Sequence, residues 1–185
     1  CKEYDMKAAL YPNFQKPNAL VCARKVCDVL ESAGIEVSVS ELFRNDFSDK
    51  PFVHFEDISI SAHTADFVLA IGGDGTILRC AKFLMGTDTK LLGINTGTLG
   101  FMAGLEADQL DKLKLLAEEK YEISERMTLD IAYHGEGCDI VRSALNEVSA
   151  RSSSFSICDF EVHSYDYLVG KYRADGVLFS TPSGS

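Results

Sequence analysis

The segment Phe67-Val68-Leu69-Ala70-Ile71 runs without a polar residue straight into Gly72-Gly73-Asp74-Gly75-Thr76, and a helix-like stretch, Ile77–Met85, follows at once. An unbroken apolar run suits a strand buried on both faces, the situation of a parallel sheet covered by helices. Leu91–Ile94 repeats the pattern. It ends in a second glycine-rich loop, Asn95-Thr96-Gly97-Thr98-Leu99-Gly100-Phe101, and a charged amphipathic helix is expected over about Ala107–Glu119. Strand, helix, strand, helix implies an α/β fold, a Rossmann-like parallel sheet with helices on both faces. Ligands of such sheets sit at the carboxyl ends of strands, where both loops fall.

The flanking segments fit this frame. Lys7–Tyr11 is a short apolar run, turned by Pro12 and Asn13. Pro17 and Asn18 supply helix entry signals, Val26, Val29, Leu30 and Ala33 recur at helical spacing, and Gly34 fits the stop. Ile35–Val39 alternates as a strand does, whereas Arg44–Phe55 mixes charges, Ser and Pro and is expected to be loop. After Lys120 the texture changes. Thr128–Tyr133, Ile140–Val148, Ser156–His163 and Val177–Ser180 are strand-like, with no helical pattern between them. The expected division is an α/β nucleotide-binding domain over 1–122 and an all-β domain over 123–185, left incomplete where the sequence stops at Ser185.

Composition narrows the partners. The 185 residues carry a net charge of −10, so a nucleic acid polymer is not expected as a partner, because phosphate neutralisation needs a basic surface. A small anion remains compatible, since backbone amides and one or two cations can hold it on an acidic protein. No run approaches the roughly 18 apolar residues of a membrane helix, and no leader-like segment opens the chain, so the cytoplasm is the expected compartment. Cys1–Asp5 precede Met6, which has the look of a natural start. The six cysteines show no paired spacing and are expected to be reduced structural thiols; with four scattered histidines they assemble no zinc site.

Asp74 is the odd member of the first loop. Glycines permit positive φ and let N–H groups approach an anion closely, and the following helix adds a favourable dipole. The Gly-Lys-Ser/Thr ending of a Walker A loop is absent. A carboxylate there either caps the helix, or binds a metal, or takes a proton from a hydroxyl; the last two suit phosphoryl transfer. Phe101 is placed either to stack on a base or ribose or to fill the core beneath its loop. Asn146-Glu147 interrupts a strand-like run with groups suited to base edges and ribose hydroxyls, or simply lies on a polar strand face. Arg173-Ala174-Asp175-Gly176 offers an Arg–Asp pair ahead of a strand and the turn Thr181-Pro182-Ser183-Gly184-Ser185.

In order and spacing these four motifs resemble those of the NAD kinases, and Lys7–Asn13 is similar to that family's first strand. The glycine-rich Asp motif alone is shared with phosphofructokinases and with diacylglycerol and sphingosine kinases; the full set is far more specific. The resemblance implies phosphoryl transfer from ATP or polyphosphate to the 2'-hydroxyl of NAD. Asp74 would accept the hydroxyl proton. Gly72, Gly73, Gly75, Thr76 and Asn95 would seat the triphosphate. Gly75, Arg79 (a helical turn on), Phe101, Asn146, Glu147, Arg173, Asp175 and Ser183 would join Asp74 in contacting the dinucleotide. A divalent ion, usually magnesium, would accompany the triphosphate, though no metal ligand is assignable from sequence. A homodimer or homotetramer is implied, with Asp175 reaching a neighbour. Two departures stand out: Thr98 replaces a His of many relatives, and relatives continue after Gly-Ser with Thr-Ala-Tyr and more β structure. The alternatives are a nucleotide-binding module without turnover, and a lipid or sugar kinase sharing only the first loop.

Overall fold

The computed structural model describes residues 5–16, 18–97, 100–135, 137–153 and 156–184, with the Cys138 side chain left out. Pro17, Thr98, Leu99 and Ser185 therefore lie outside the described residues. The chain divides into two compact units, Cys1–Ile123 and Ser124–Ser185.

The first unit is a parallel α/β sheet. Its strands are β1 (Lys7–Pro12), β2 (Glu36–Val39), β3 (Val53–Phe55), β4 (Phe67–Gly72), β5 (Lys90–Asn95) and β6 (Leu105–Glu106), in the order β3-β2-β1-β4-β5-β6. Its helices are α1 (Ala19–Ser32), α2 (Ile58–Thr64), α3 (Asp74–Leu84) and α4 (Lys114–Ala117). Alternation along β4 explains why the strand is apolar throughout. Phe67, Leu69 and Ile71 pack with Val26, Leu30 and Leu113 on one face, while Val68 and Ala70 pack with Ala62, Ile77 and Cys80 on the other. Each face is closed by helices, so every β4 side chain loses water. Gly34 ends α1 at φ 76, the left-handed backbone that a residue without Cβ adopts cheaply.

Several segments differ from the sequence expectation. Arg44–Phe55 is not loop: a 3-10 helix spans Glu41–Phe47, and β3 follows as an edge strand on β2. Ser40 caps that helix through Leu42 N–H, Glu41 and Arg44 pair on its outside, and only Phe47 is fully buried, so the pattern is too short to show helical period. The unforeseen α2 starts where Asp57 Oδ1 accepts the Ser59 N–H at 2.9 Å. α3 begins at Asp74 rather than Ile77. The helix expected over Ala107–Glu119 is instead β6, a 3-10 turn at Leu110–Leu113, and the single turn α4. Leu110, Leu113 and Leu116, the buried residues, are spaced by three, which matches the tighter helix.

Among the described residues the buried cysteines Cys22, Cys27 and Cys80 are free. Desolvation pushes the Cys22 thiol up to about 11 and those of Cys27 and Cys80 up to about 12, so they behave as small apolar side chains. Packing between β5 and α3 is equally tight. A Cβ at Gly93 would overlap Ile77 Cδ1 and lie 3.1 Å from Ala103 Cα. Gly93→Ala is expected to cost about 1–3 kcal/mol by overpacking. A urea titration would show it as a lower midpoint at unchanged slope.

The second unit is built of antiparallel ribbons: β7 (Leu129–Gly135) with β8 (Cys138–Ala144), β9 (Glu147–Arg151) with β12 (Gly176–Ser180), and β10 (Cys158–Ser164) with β11 (Tyr167–Ala174). The run read as one strand, Ile140–Val148, is two, broken at Leu145 and Asn146. β11 was not expected at all. Tyr165, at φ 53, makes the turn that folds it back on β10, a conformation that the sequence does not advertise with glycine. No helix among the described residues is long and apolar enough to cross a membrane.

Candidate active site

β4 ends at Gly72, and α3 starts at Asp74 with Gly73 as its N-cap. Because β4 lies between β1 and β5, the Gly72–Thr76 loop is flanked by the loop after β1 on one side and the loop after β5 on the other. β1 leads into α1 on one face of the sheet and β4 into α3 on the opposite face. The chain thus parts in two directions between β1 and β4, which opens a crevice at their carboxyl ends.

Hydrogen bonds fasten the three loops to one another. Asn13 donates its N–H to Ile71 O (2.9 Å) and its Nδ2 to Thr76 Oγ1 (3.2 Å). Thr96 N–H donates to Gly72 O at 3.1 Å. Asp74 Oδ2 accepts from Phe101 N–H (3.1 Å) and Oδ1 from Met102 N–H (3.2 Å). The helix-cap alternative for Asp74 is thereby corrected: Gly73 holds the cap position, and the carboxylate reaches across to the next loop. Two backbone donors fix its plane.

Around this carboxylate lies a cleft of about 390 Å3. Gly73, Asp74, Gly75, Thr76 and Arg79 line it from the glycine loop and α3, Asn13 and Lys16 from the β1–α1 loop, and Gly100 from the second loop. Asp74 is the only carboxylate among these lining residues. The positive φ expected of Gly72, Gly73 and Gly75 is not found; among the described glycines only Gly34, Gly86 and Gly137 adopt it. Smallness is what the loop uses. A Cβ at Gly72 would overlap Thr76 Oγ1, whereas at Gly73 and Gly75 it would meet nothing within 4 Å. Those two positions leave room for something other than this chain. The Asp74 and Gly75 amides, which precede the first bond of the α3 ladder (Thr76 N–H to Gly73 O, 2.8 Å), border that room.

The second loop departs from expectation in two respects. Phe101 is 99% exposed, so it does not fill the core beneath the loop; its ring is open to solvent and its N–H serves Asp74. Asn95 is buried and does not line the cleft. Its Nδ2 donates to Glu106 Oε2 (2.9 Å) and its Oδ1 accepts from Gly97 N–H (3.2 Å), so it shapes the loop rather than facing a ligand.

The second unit brings its two motifs together. Glu147 pairs with Ser180 across β9 and β12, Thr181 N–H donates to Asn146 O (2.8 Å), and Thr181 Oγ1 donates to Leu145 O (2.8 Å). Gly184 closes the turn by donating to Thr181 O at 3.0 Å, so near Asn146 that a Cβ would lie 2.5 Å from its carbonyl oxygen. Asn146 Oδ1 is buried without a partner, an acceptor left for a donor from outside the described residues. Ser183 Oγ accepts from Arg126 Nη1 at 3.2 Å, and Glu147 and Arg173 are exposed. The Arg173–Asp175 pair is not formed. Gly176 sits opposite Arg151 in the β9–β12 register, and Asp175 Oδ2 therefore lies 3.8 Å from Arg151 Nη2.

Sequence reasoning missed Asn13 and Lys16 as site residues. Their signal exists only once strand order is known, because β1 and β4 are far apart in sequence but adjacent in the sheet. No group of three or more His, Cys, Asp or Glu suited to a metal occurs among the described residues.

Residues 9–121 match the family model described as the ATP-NAD kinase N-terminal domain. The chain is 33% identical to an NAD kinase of Christiangramia forsetii, over 97% of this chain and 64% of that relative. It is 36% identical to an NAD kinase of Corynebacterium diphtheriae, over 100% of this chain and 61% of the relative. The chain thus spans somewhat over three fifths of the length of these curated relatives. A crystal structure of yeast NADH kinase complexed with NADH shares the fold at a TM-score of 0.86 with 18% identity, covering 98% of this chain and 59% of that one.

Proposed function

The chain belongs to the NAD kinase family, and on that premise we propose that it phosphorylates the 2'-hydroxyl of NAD with ATP, or polyphosphate, as donor. One observation carries this reading: a carboxylate whose plane is fixed by two backbone N–H groups, set beside glycines whose missing side chains leave open space. Asp74 accepts the hydroxyl proton as the ribose oxygen attacks the terminal phosphorus. The bond from that phosphorus to its bridging oxygen breaks, and ADP, or the polyphosphate shortened by one phosphate, departs with the electron pair. Positioning and charge neutralisation do most of the work in such a transfer.

Gly73, Gly75 and the amides that open α3 seat phosphate, and Arg79 supplies a cation at the cleft wall. Phe101 is assigned to stack on the adenosine. In the second unit Asn146, Glu147, Arg173, Asp175 and Ser183 are assigned to the dinucleotide, and the unpartnered Asn146 Oδ1 supports the first of these. A magnesium ion would be held through the donor's own phosphate oxygens and water, because Asp74, the only carboxylate of the cleft lining, is assigned to the proton. The ion would neutralise phosphate charge. The same reading carries cytoplasmic location and homo-oligomeric assembly.

The test is a coupled assay for NADP formation from NAD and ATP, run beside calorimetric titrations with NAD and NADP. Product formation is expected. Binding without product would overturn the kinase reading and assign the chain to nucleotide binding alone; the absence of both binding and product would remove either reading.

A further inference from the structure

The geometry points to Lys16 as the side chain that holds the phosphate chain of the donor, on the side of the cleft opposite the acceptor; this rests on the phosphotransferase reading above. The argument starts from the flanks of the glycine loop. Asp74 is held on the β5 side, by Phe101 and Met102 N–H. Lys16 lines the cleft from the β1 side, in a loop fastened to the first turn of α3 by Asn13 Nδ2 on Thr76 Oγ1. In-line transfer requires the attacking and leaving oxygens to stand at opposite ends of the moving phosphoryl group. With the acceptor hydroxyl against Asp74 on the β5 side, the leaving oxygen and the phosphates behind it extend toward β1, where Lys16 stands.

Electrostatics favours the same assignment. The chain carries a net charge of −10, a field that repels a polyphosphate. The cleft lining reverses that sign locally, with Lys16 and Arg79 against the single carboxylate of Asp74. Among the described residues neither cation has an ion-pair or side-chain hydrogen-bond partner, whereas Lys7, Arg24, Arg44 and Lys50 are all paired. An ammonium on a flexible stem is a point charge that tracks phosphate oxygens without bidentate geometry. It therefore suits the shared chemistry of both donors, a run of phosphates, and needs no nucleoside. Lys16 is exposed, so its replacement is expected to leave the fold intact.

Steady-state kinetics on Lys16→Ala and Lys16→Arg, with ATP and inorganic polyphosphate as separate donors, tests this. Lys16→Ala is expected to raise KM for the accepted donor by about tenfold or more, the scale of one charge-assisted hydrogen bond, with KM for NAD within about twofold. Lys16→Arg should recover most of the loss. A rise with both donors places the contact on phosphate; a rise with ATP alone places it beside the nucleoside end and overturns the assignment. An unchanged donor KM, or an equal rise for NAD, also overturns it. Equilibrium titration with ATP in the absence of NAD reads the same contact without turnover. Wild-type protein that binds ATP but makes no NADP would defeat the phosphotransferase reading, while weaker ATP binding by Lys16→Ala would still uphold the phosphate contact.

Discussion

Replacing Asp74 by Asn is expected to lower turnover of NAD by about 10²–10⁴-fold, the usual worth of a general base, while NAD and ATP still bind within a few-fold of wild type. The substitution is nearly isosteric and removes the one group in the cleft lining able to take the hydroxyl proton. It also has a structural side effect whose sign follows from donor and acceptor counts. Both carboxylate oxygens accept backbone N–H groups, from Phe101 and Met102. An Asn amide can accept one of these, but its NH2 would face the other donor, so one N–H must turn to water. A modest fall in melting temperature is therefore expected beside the kinetic loss. Single-turnover measurement with saturating substrates isolates the chemical step. Turnover equal to wild type would remove Asp74 from proton transfer and leave it as a tie between loops.

Much of the fold was legible because the physics that sets it is local. Phe67–Ile71 had to be a strand covered on both faces, and its alternate side chains do divide between two cores. The parallel sheet followed from the glycine loops standing one crossover apart. What escaped was structure whose stability comes from elsewhere in the chain. The Glu41–Phe47 turn and the edge strand β3 hold their places by docking Phe47 and Val53 onto the sheet, so their own spacing carries little signal. β11 was hidden because Tyr165, not a glycine, takes the left-handed turn.

The site divides in the same way. Asp74 and its glycines were visible as a motif, since a carboxylate among phosphate-seeking groups demands an explanation. The bond from Asp74 to Phe101 and Met102 N–H was not visible, because it joins loops whose adjacency depends on β4 and β5 lying side by side. Asn95 shows what sequence leaves out. The resemblance implied a place at the triphosphate, and the sequence carries no sign that burial at a strand end gives its amide internal partners in Glu106 and Gly97. Lys16 lay outside every motif and acquires meaning only from the neighbour that strand order gives it.

Gly100→Ala should reproduce most of the Asp74→Asn defect without touching any reacting group. A Cβ at Gly100 would overlap Asp74 Oδ1 and lie 3.1 Å from its Cγ. The Asp74 side chain is short and held by two backbone donors, so it cannot swing clear without breaking the bonds that orient it. The loop must lift, or the carboxylate must turn. Either displaces the base by about an ångström, and misplacement on that scale costs about 10²-fold in rate. Donor binding should survive, because the nearest atoms to the added Cβ belong to Asp74 and not to Lys16, Gly73 or Gly75. Gly97→Ala is the matched control: it alters the same loop, yet its added Cβ meets nothing within 4 Å, so turnover should stay within about twofold of wild type. The expected result is a fall in kcat for Gly100→Ala alone, with donor affinity unchanged in both variants. Equal losses would mean that the loop is generally sensitive, and equal activities would mean that the contact between Gly100 and Asp74 does not set the position of the base.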